Sequence, residues 1–279
     1  MDVTNFNAIL LGLVQGLTEF LPVSSSGHLV IIGRLLDVDA PGIIFEVMVH
    51  VGTALAVCVF LRKEIREVFA GLIRLAKAAG RRSSLARLIR SDEGARLGLL
   101  VAVGSVPTAL MGLCLSDVAD RLFESILPAG LGLIVTGLVL RIGQRHDRGG
   151  RGVAEVGWLD AAIVGVAQGL AIAPGVSRSG ATVACSLTRG MSPEVAARLS
   201  FLMSVPVILG AAVFELVKHT PGSDAAVTWL QLALGASVAA VSGFVAVSIF
   251  MRLINQRRLA VFSWYCFALG GATLVIWAI

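Results

Sequence analysis

The chain has 279 residues, of which 56% are hydrophobic and 15% charged, and its formal net charge is +5. Soluble domains carry about 25% charged residues, so a water-solvated globule is excluded and lipid is the expected solvent. The basic residues lie in the connections between apolar runs, where they mark membrane topology, so no nucleic-acid partner is expected.

From the N-terminus, Met1–Asn7 has no positive stretch ahead of its apolar run, and no cleaved signal peptide is expected. Asn7–Phe20 reads as a helix stopped by Pro22, Val23–Gly27 as a turn, with a helix restarting near His28. Six runs approach the roughly 20 residues that cross a hydrocarbon core: Gly42–Leu61, Leu97–Leu115, Leu127–Ile142, Leu199–Val217, Trp229–Phe250 and Leu259–Ile279. The Arg62–Arg90 connection, read as a loop, holds nine Lys/Arg against Glu64 and Glu67. Arg141, Arg145, Arg148 and Arg151 form a second basic cluster, and Arg252, Arg257 and Arg258 a third. Such clusters mark cytoplasmic loops, so the acidic or near-neutral connections Ser116–Glu124 and Lys218–Ala226 are expected outside. Between them, Trp158–Ala173 is a helix interrupted by Pro174-Gly175 and restarting near Arg178. Cys58, Cys114, Cys185 and Cys266 are scattered through apolar stretches and read as packing residues.

A shift of 153 residues pairs Gly12, Gln15, Gly16, Leu17, Val23, Ser24, Ser26 and Gly27 with Gly165, Gln168, Gly169, Leu170, Val176, Ser177, Ser179 and Gly180, eight identities in sixteen positions. The loop charges run equivalent helices of the two halves in opposite directions, which makes the repeat inverted. Such architectures carry polar sites near the midplane on interrupted helices. The expected fold is therefore an all-α polytopic membrane protein, one membrane domain over 1–279 with about six transmembrane helices and two re-entrant helical hairpins. The first repeat spans 1–150 with its hairpin at 5–36, and the second spans 151–279 with its hairpin at 157–190, the two tips meeting.

Hydroxyls, small residues and restarting helix N-termini at Ser24-Ser25-Ser26-Gly27 and at Ser177-Arg178-Ser179-Gly180-Ala181-Thr182 have the composition of a phosphate site. The same small residues also suit close helix packing. Arg178 adds a permanently charged fork matched to phosphate oxygens, and an intramembrane charge is costly unless it is used. Glu19 lies one turn after Gln15, either neutralising Arg178, binding a cation or orienting a histidine. A helix beginning at the serines stacks His28 on Ser24 and Ser25, a set suited to nucleophilic or general-base hydrolysis. Glu46, His50 and Thr53 read as the polar inward face of a spanning helix, structural or supporting.

The run Gln15-Gly16-Leu17-Thr18-Glu19-Phe20-Leu21-Pro22-Val23-Ser24-Ser25-Ser26-Gly27-His28 resembles the [Glu/Gln]-x-x-x-Glu motif and Ser-rich loop of undecaprenyl-diphosphate phosphatases of the bacitracin-resistance type. Pro174-Gly175-Val176-Ser177-Arg178-Ser179-Gly180-Ala181-Thr182 is similar to that family's second motif. The resemblance implies hydrolysis of undecaprenyl diphosphate in the bacterial inner membrane, recycling the carrier for peptidoglycan, at a site opening toward the periplasm, and a homodimer. It implies Glu19, Ser25, His28 and Arg178 as catalytic, Ser24, Ser26, Gly27, Ser177, Ser179, Gly180 and Thr182 around the phosphate, and Gln15, Glu46 and His50 in support. Gln15 stands where many members carry a second glutamate, which weakens a two-carboxylate clamp on Mg²⁺ or Ca²⁺ and leaves Glu19 as the candidate ligand. The alternative is a secondary transporter or flippase for a phosphate or phospho-lipid head group, which needs the anion site but no nucleophile.

Overall fold

A computed structural model describes residues 4–36, 42–78, 82–147, 149–218 and 227–279. The parts of Met1–Asn7, Arg62–Arg90 and Lys218–Ala226 beyond these, and Arg148, lie outside the described residues. Every regular element among the described residues is helical.

Among the described residues six helices are long and apolar enough to cross a membrane: α3 (Ile43–Phe60), α6 (Glu93–Phe123), α7 (Ile126–Arg145), α10 (Pro193–Lys218), α11 (Trp229–Asn255) and α12 (Ala260–Ala278). They coincide with the six expected runs; α6, α7, α10 and α11 run past them, while α3 and α12 fall one residue short at each end. Ser116–Glu124, expected as a connection, is mostly the last turns of α6, which run through Phe123. Large apolar side chains such as Leu55, Leu110, Leu138 and Val241 remain exposed on the outer faces, as a lipid solvent requires.

The Arg62–Arg90 connection is not an irregular loop. It forms α4 (Arg62–Lys77) and α5 (Arg82–Ser91), because its basic residues alternate with apolar ones at helical spacing. Gly71 and Leu75 of α4 are buried, and a Cβ on Gly71 would collide with the α6 backbone at Ala95. Arg74 reaches Asp92, the N-cap of α6, at 2.6 Å; that guanidinium holds the Asp92 carboxyl below the usual carboxylate range. The basic connections gather at one end of the bundle. There Arg198 of α10 meets Glu64 at 3.0 Å and Glu93 at 3.7 Å, Arg96 donates to the Val153 and Val156 carbonyls, and Arg257 bonds Asp147.

The two interrupted segments fold as short hairpins. α1 (Asn5–Glu19) and α2 (Ser25–Leu36) form the first, α8 (Trp158–Leu170) and α9 (Arg178–Thr188) the second. At 1.5 Å per residue even the 15-residue α1 reaches only about 22 Å, short of a roughly 30 Å hydrocarbon core. α2 begins at Ser25, one turn earlier than the expected restart near His28, because Ser24 Oγ accepts from Gly27 N as a cap.

Both hairpins are held by the glycines they share. On α1, Gly12 and Gly16 lie against α11 at Gly235, Ala239 and Ser242. On α8, Gly165 and Gly169 lie against α6 at Gly104 and Met111. A Cβ at Gly12 would sit on the Gly235 carbonyl oxygen and 3.0 Å from its Cα, backbone that cannot move aside. Gly12→Ala is therefore expected to destabilise the fold by about 1–3 kcal/mol, read as a lowered melting temperature in detergent. An unchanged melting temperature would place α1 elsewhere.

Candidate functional site: two hairpin tips on one carboxylate

Glu19 ends α1 and is followed by Phe20, which is 1% exposed. The Phe20 ring meets Phe201 of α10 at 5.4 Å, and Phe201 meets Phe250 of α11 at 5.6 Å. This aromatic chain fixes the end of α1 and hence the direction of Glu19. On the other side, Gly175 has φ 84, where a side chain is strained, and a Cβ there would strike Ala129 of α7. Thr136 of α7 locks the second tip, its hydroxyl donating to the Gly175 carbonyl at 2.8 Å and accepting from Ser177 N at 2.9 Å.

The tips touch directly. Ser179 Oγ donates to the Leu21 carbonyl at 3.2 Å, and a Cβ on Gly27 would come within 3.0 Å of Gly175 Cα. At their junction the Glu19 carboxylate is saturated from both hairpins. One oxygen accepts from the Arg178 guanidinium. The other accepts from Gln15 Nε2 at 2.7 Å and from Ser25 Oγ at 2.6 Å, and lies 3.8 Å from His50 Nε2. The expected carboxylate, hydroxyl and guanidinium thus occupy one cluster, although 159 residues separate Glu19 from Arg178.

The remaining expected residues divide. Ser24 and Ser177 are helix caps, accepting from Gly27 N at 3.2 Å and Gly180 N at 3.0 Å. Each has a second hydroxyl at 3.2 Å, Ser26 and Ser179 respectively. Thr182 is fully buried and bonds Ser200 of α10 at 2.6 Å, so it joins two helices. Gly27 and Gly180 serve the close approach of the tips. With Gly27 N and Gly180 N capped, the first-turn N–H groups of Ser25, Ser26, Arg178 and Ser179 make no bond to other described residues and are the unpaired donors of the two N-termini.

His28 does not meet Glu19 or Ser25. Its Nδ1–H donates to the Ser24 carbonyl at 2.7 Å, and its Nε2 accepts from the Tyr265 hydroxyl of α12 at 2.7 Å. With α2 starting at Ser25, the ring lies a turn further on and stacks on Tyr265, centroids 5.7 Å apart. It holds the tip backbone through Ser24, whose φ is 66. Thr136 and Tyr265 escaped the sequence reading. Each is a lone polar group in an apolar run, and only Tyr265's being the single tyrosine of the chain marks it out.

A cation held by the chain does not fit. Among the described residues no three His, Cys, Asp or Glu side chains converge on one point. Both Glu19 oxygens are engaged, and Gln15 presents an N–H rather than an oxygen to the cluster.

The bacitracin resistance protein BacA family model matches residues 8–272. The undecaprenyl-diphosphatase of Desulfosudis oleivorans is 43% identical over 272 residues, covering 96% of this chain and 97% of the relative. That of Carboxydothermus hydrogenoformans is 39% identical, covering 99% and 98%, and that of a Nocardioides species 40%, covering 96% and 95%. A chain matched over nearly its whole length, with both family motifs at the junction of its hairpins, belongs to the bacitracin resistance protein BacA family.

Proposed function

We propose that this chain hydrolyses undecaprenyl diphosphate to undecaprenyl phosphate and inorganic phosphate, recycling the carrier for peptidoglycan synthesis and conferring bacitracin resistance. The names of its relatives support the substrate. The observation that carries the reaction is the Ser25–Glu19–Arg178 cluster beneath two facing helix N-termini.

Arg178 and the free first-turn N–H groups take the terminal phosphate oxygens, where charge accumulates in the transition state. Ser25 Oγ, already donating to Glu19, is the nucleophile, and Glu19 is its immediate base. His28 positions the tip from behind by fixing the Ser24 carbonyl. Because Glu19 already balances Arg178, a diphosphate brings uncompensated negative charge. A divalent cation such as Mg²⁺ or Ca²⁺, if the reaction uses one, would offset that charge by arriving with the substrate rather than at a site on the chain.

The internal repeat and the gathering of basic connections at one end support an inverted architecture in the bacterial inner membrane, that end cytoplasmic and the site opening to the periplasm. The active unit in this reading is a homodimer. The test is phosphate release from undecaprenyl diphosphate by the purified protein in detergent, with and without chelator. Release without a membrane gradient is expected. Binding without release, together with uptake into vesicles, would instead mean a transporter, which has no use for the Ser25–Glu19 pair.

A further inference from the structure

Two histidines near the tips are held alike at one nitrogen and differently at the other. His28 and His50 each donate from Nδ1 to the carbonyl four residues back, Ser24 and Glu46, at 2.7 Å. That bond fixes the proton on Nδ1 and leaves Nε2 of the neutral ring as a lone pair. In His28 the lone pair is taken by Tyr265 at 2.7 Å. In His50 it faces Glu19 Oε2 at 3.8 Å, the same oxygen that accepts from Ser25 at 2.6 Å. Contacts of this kind are often long before substrate binds.

Exposure sets the direction of a proton path. The Glu19 side chain is 5% exposed and that of His50 36%, so His50 stands between a buried carboxylate and the surroundings. We infer that His50 is the proton acceptor behind Glu19, the group through which the Ser25 proton leaves the site. The inference rests on the phosphatase reading and deepens it.

As the Ser25 Oγ–P bond forms, the bond from phosphorus to the bridging oxygen breaks, and its electron pair departs on polyprenyl phosphate. The Ser25 proton crosses to Glu19 Oε2 and on to His50 Nε2. It does not rest on Glu19, because a neutral carboxyl would strip the Arg178 guanidinium of its counter-charge. The imidazolium then gives the Nε2 proton to solvent water reaching the part-exposed side chain. In the second half, water attacks phosphorus, the P–Oγ bond breaks, and the water proton returns through Glu19 to Ser25. Gln15, an amide donating to the same Glu19 oxygen, cannot do this work. The charged groups around His50 are Glu19, Arg178 beyond it, Glu46 one turn earlier on α3, and Glu215 of α10, whose charge acts on Glu46.

The experiment compares wild type, His50→Gln and His50→Ala on undecaprenyl diphosphate in detergent. An inactive wild type would overturn the phosphatase reading itself; the inference is judged on an active one. We expect kcat to fall about 10²-fold in both variants, KM to change little, and added imidazole to restore His50→Ala. His50→Gln with wild-type kcat overturns the inference, as does a loss confined to KM or one that imidazole does not relieve in His50→Ala.

Discussion

Arg178→Ala is expected to lower phosphate release from undecaprenyl diphosphate by about 10³-fold or more, the range of a removed transition-state cation. The guanidinium approaches the site from the second hairpin and bonds the Glu19 carboxylate, so its loss removes the phosphate's charged anchor and leaves a buried anion unpaired. The second effect threatens the fold, since breaking a buried pair from one side costs about 3–5 kcal/mol. Arg178→Lys separates the two. Lysine keeps the charge opposite Glu19 but loses the planar fork, so a folded Arg178→Lys protein with at least about tenfold lower kcat is expected. Wild-type turnover in either variant, measured as released phosphate, would contradict the assignment.

Ser25→Ala is expected to be as severe in rate and milder in stability. The change removes one hydrogen bond of 2.6 Å from a carboxylate that keeps Arg178 and Gln15. The expected cost is about 1–3 kcal/mol of stability, seen as a modest drop in melting temperature. If Ser25 is the nucleophile, turnover falls by about 10³-fold or more, since among the described residues no other hydroxyl bonds Glu19. Ser24 and Ser26, the nearest in sequence, are turned to the cap and to each other. Near-normal turnover in Ser25→Ala would hand the attack to water.

Much of this was legible in the sequence, for identifiable reasons. Each spanning helix is an apolar run long enough to cross lipid, and Pro22 and Pro174-Gly175 break the two segments where they turn. The expectation that the two tips meet joined Glu19 to Arg178 across 159 residues, and their bond bears that meeting out. What stayed hidden depended on register or on a distant partner. α4 and α5 were masked by nine basic residues that read as loop charges, while Gly71 and Leu75 between them face α6. His28 was expected to stack on Ser24 and Ser25 but bonds only the Ser24 carbonyl, and its Nε2 partner, Tyr265, lies 237 residues away. His50 looked peripheral from its own helix, since only the folded chain brings Glu19 of α1 to its ring. The serines show why composition underdetermines a site: of the six hydroxyl groups expected near phosphate, Ser24, Ser177 and Thr182 are committed to caps and packing.

The most direct measurement is rapid quench of the purified wild type mixed with undecaprenyl diphosphate labelled on its terminal phosphate. The account predicts that label appears first on the peptide carrying Ser25 and then as inorganic phosphate, with neither signal in Ser25→Ala. Label that stays on the lipid, or inorganic phosphate formed with no labelled Ser25 at any time and at the same rate in Ser25→Ala, would contradict it.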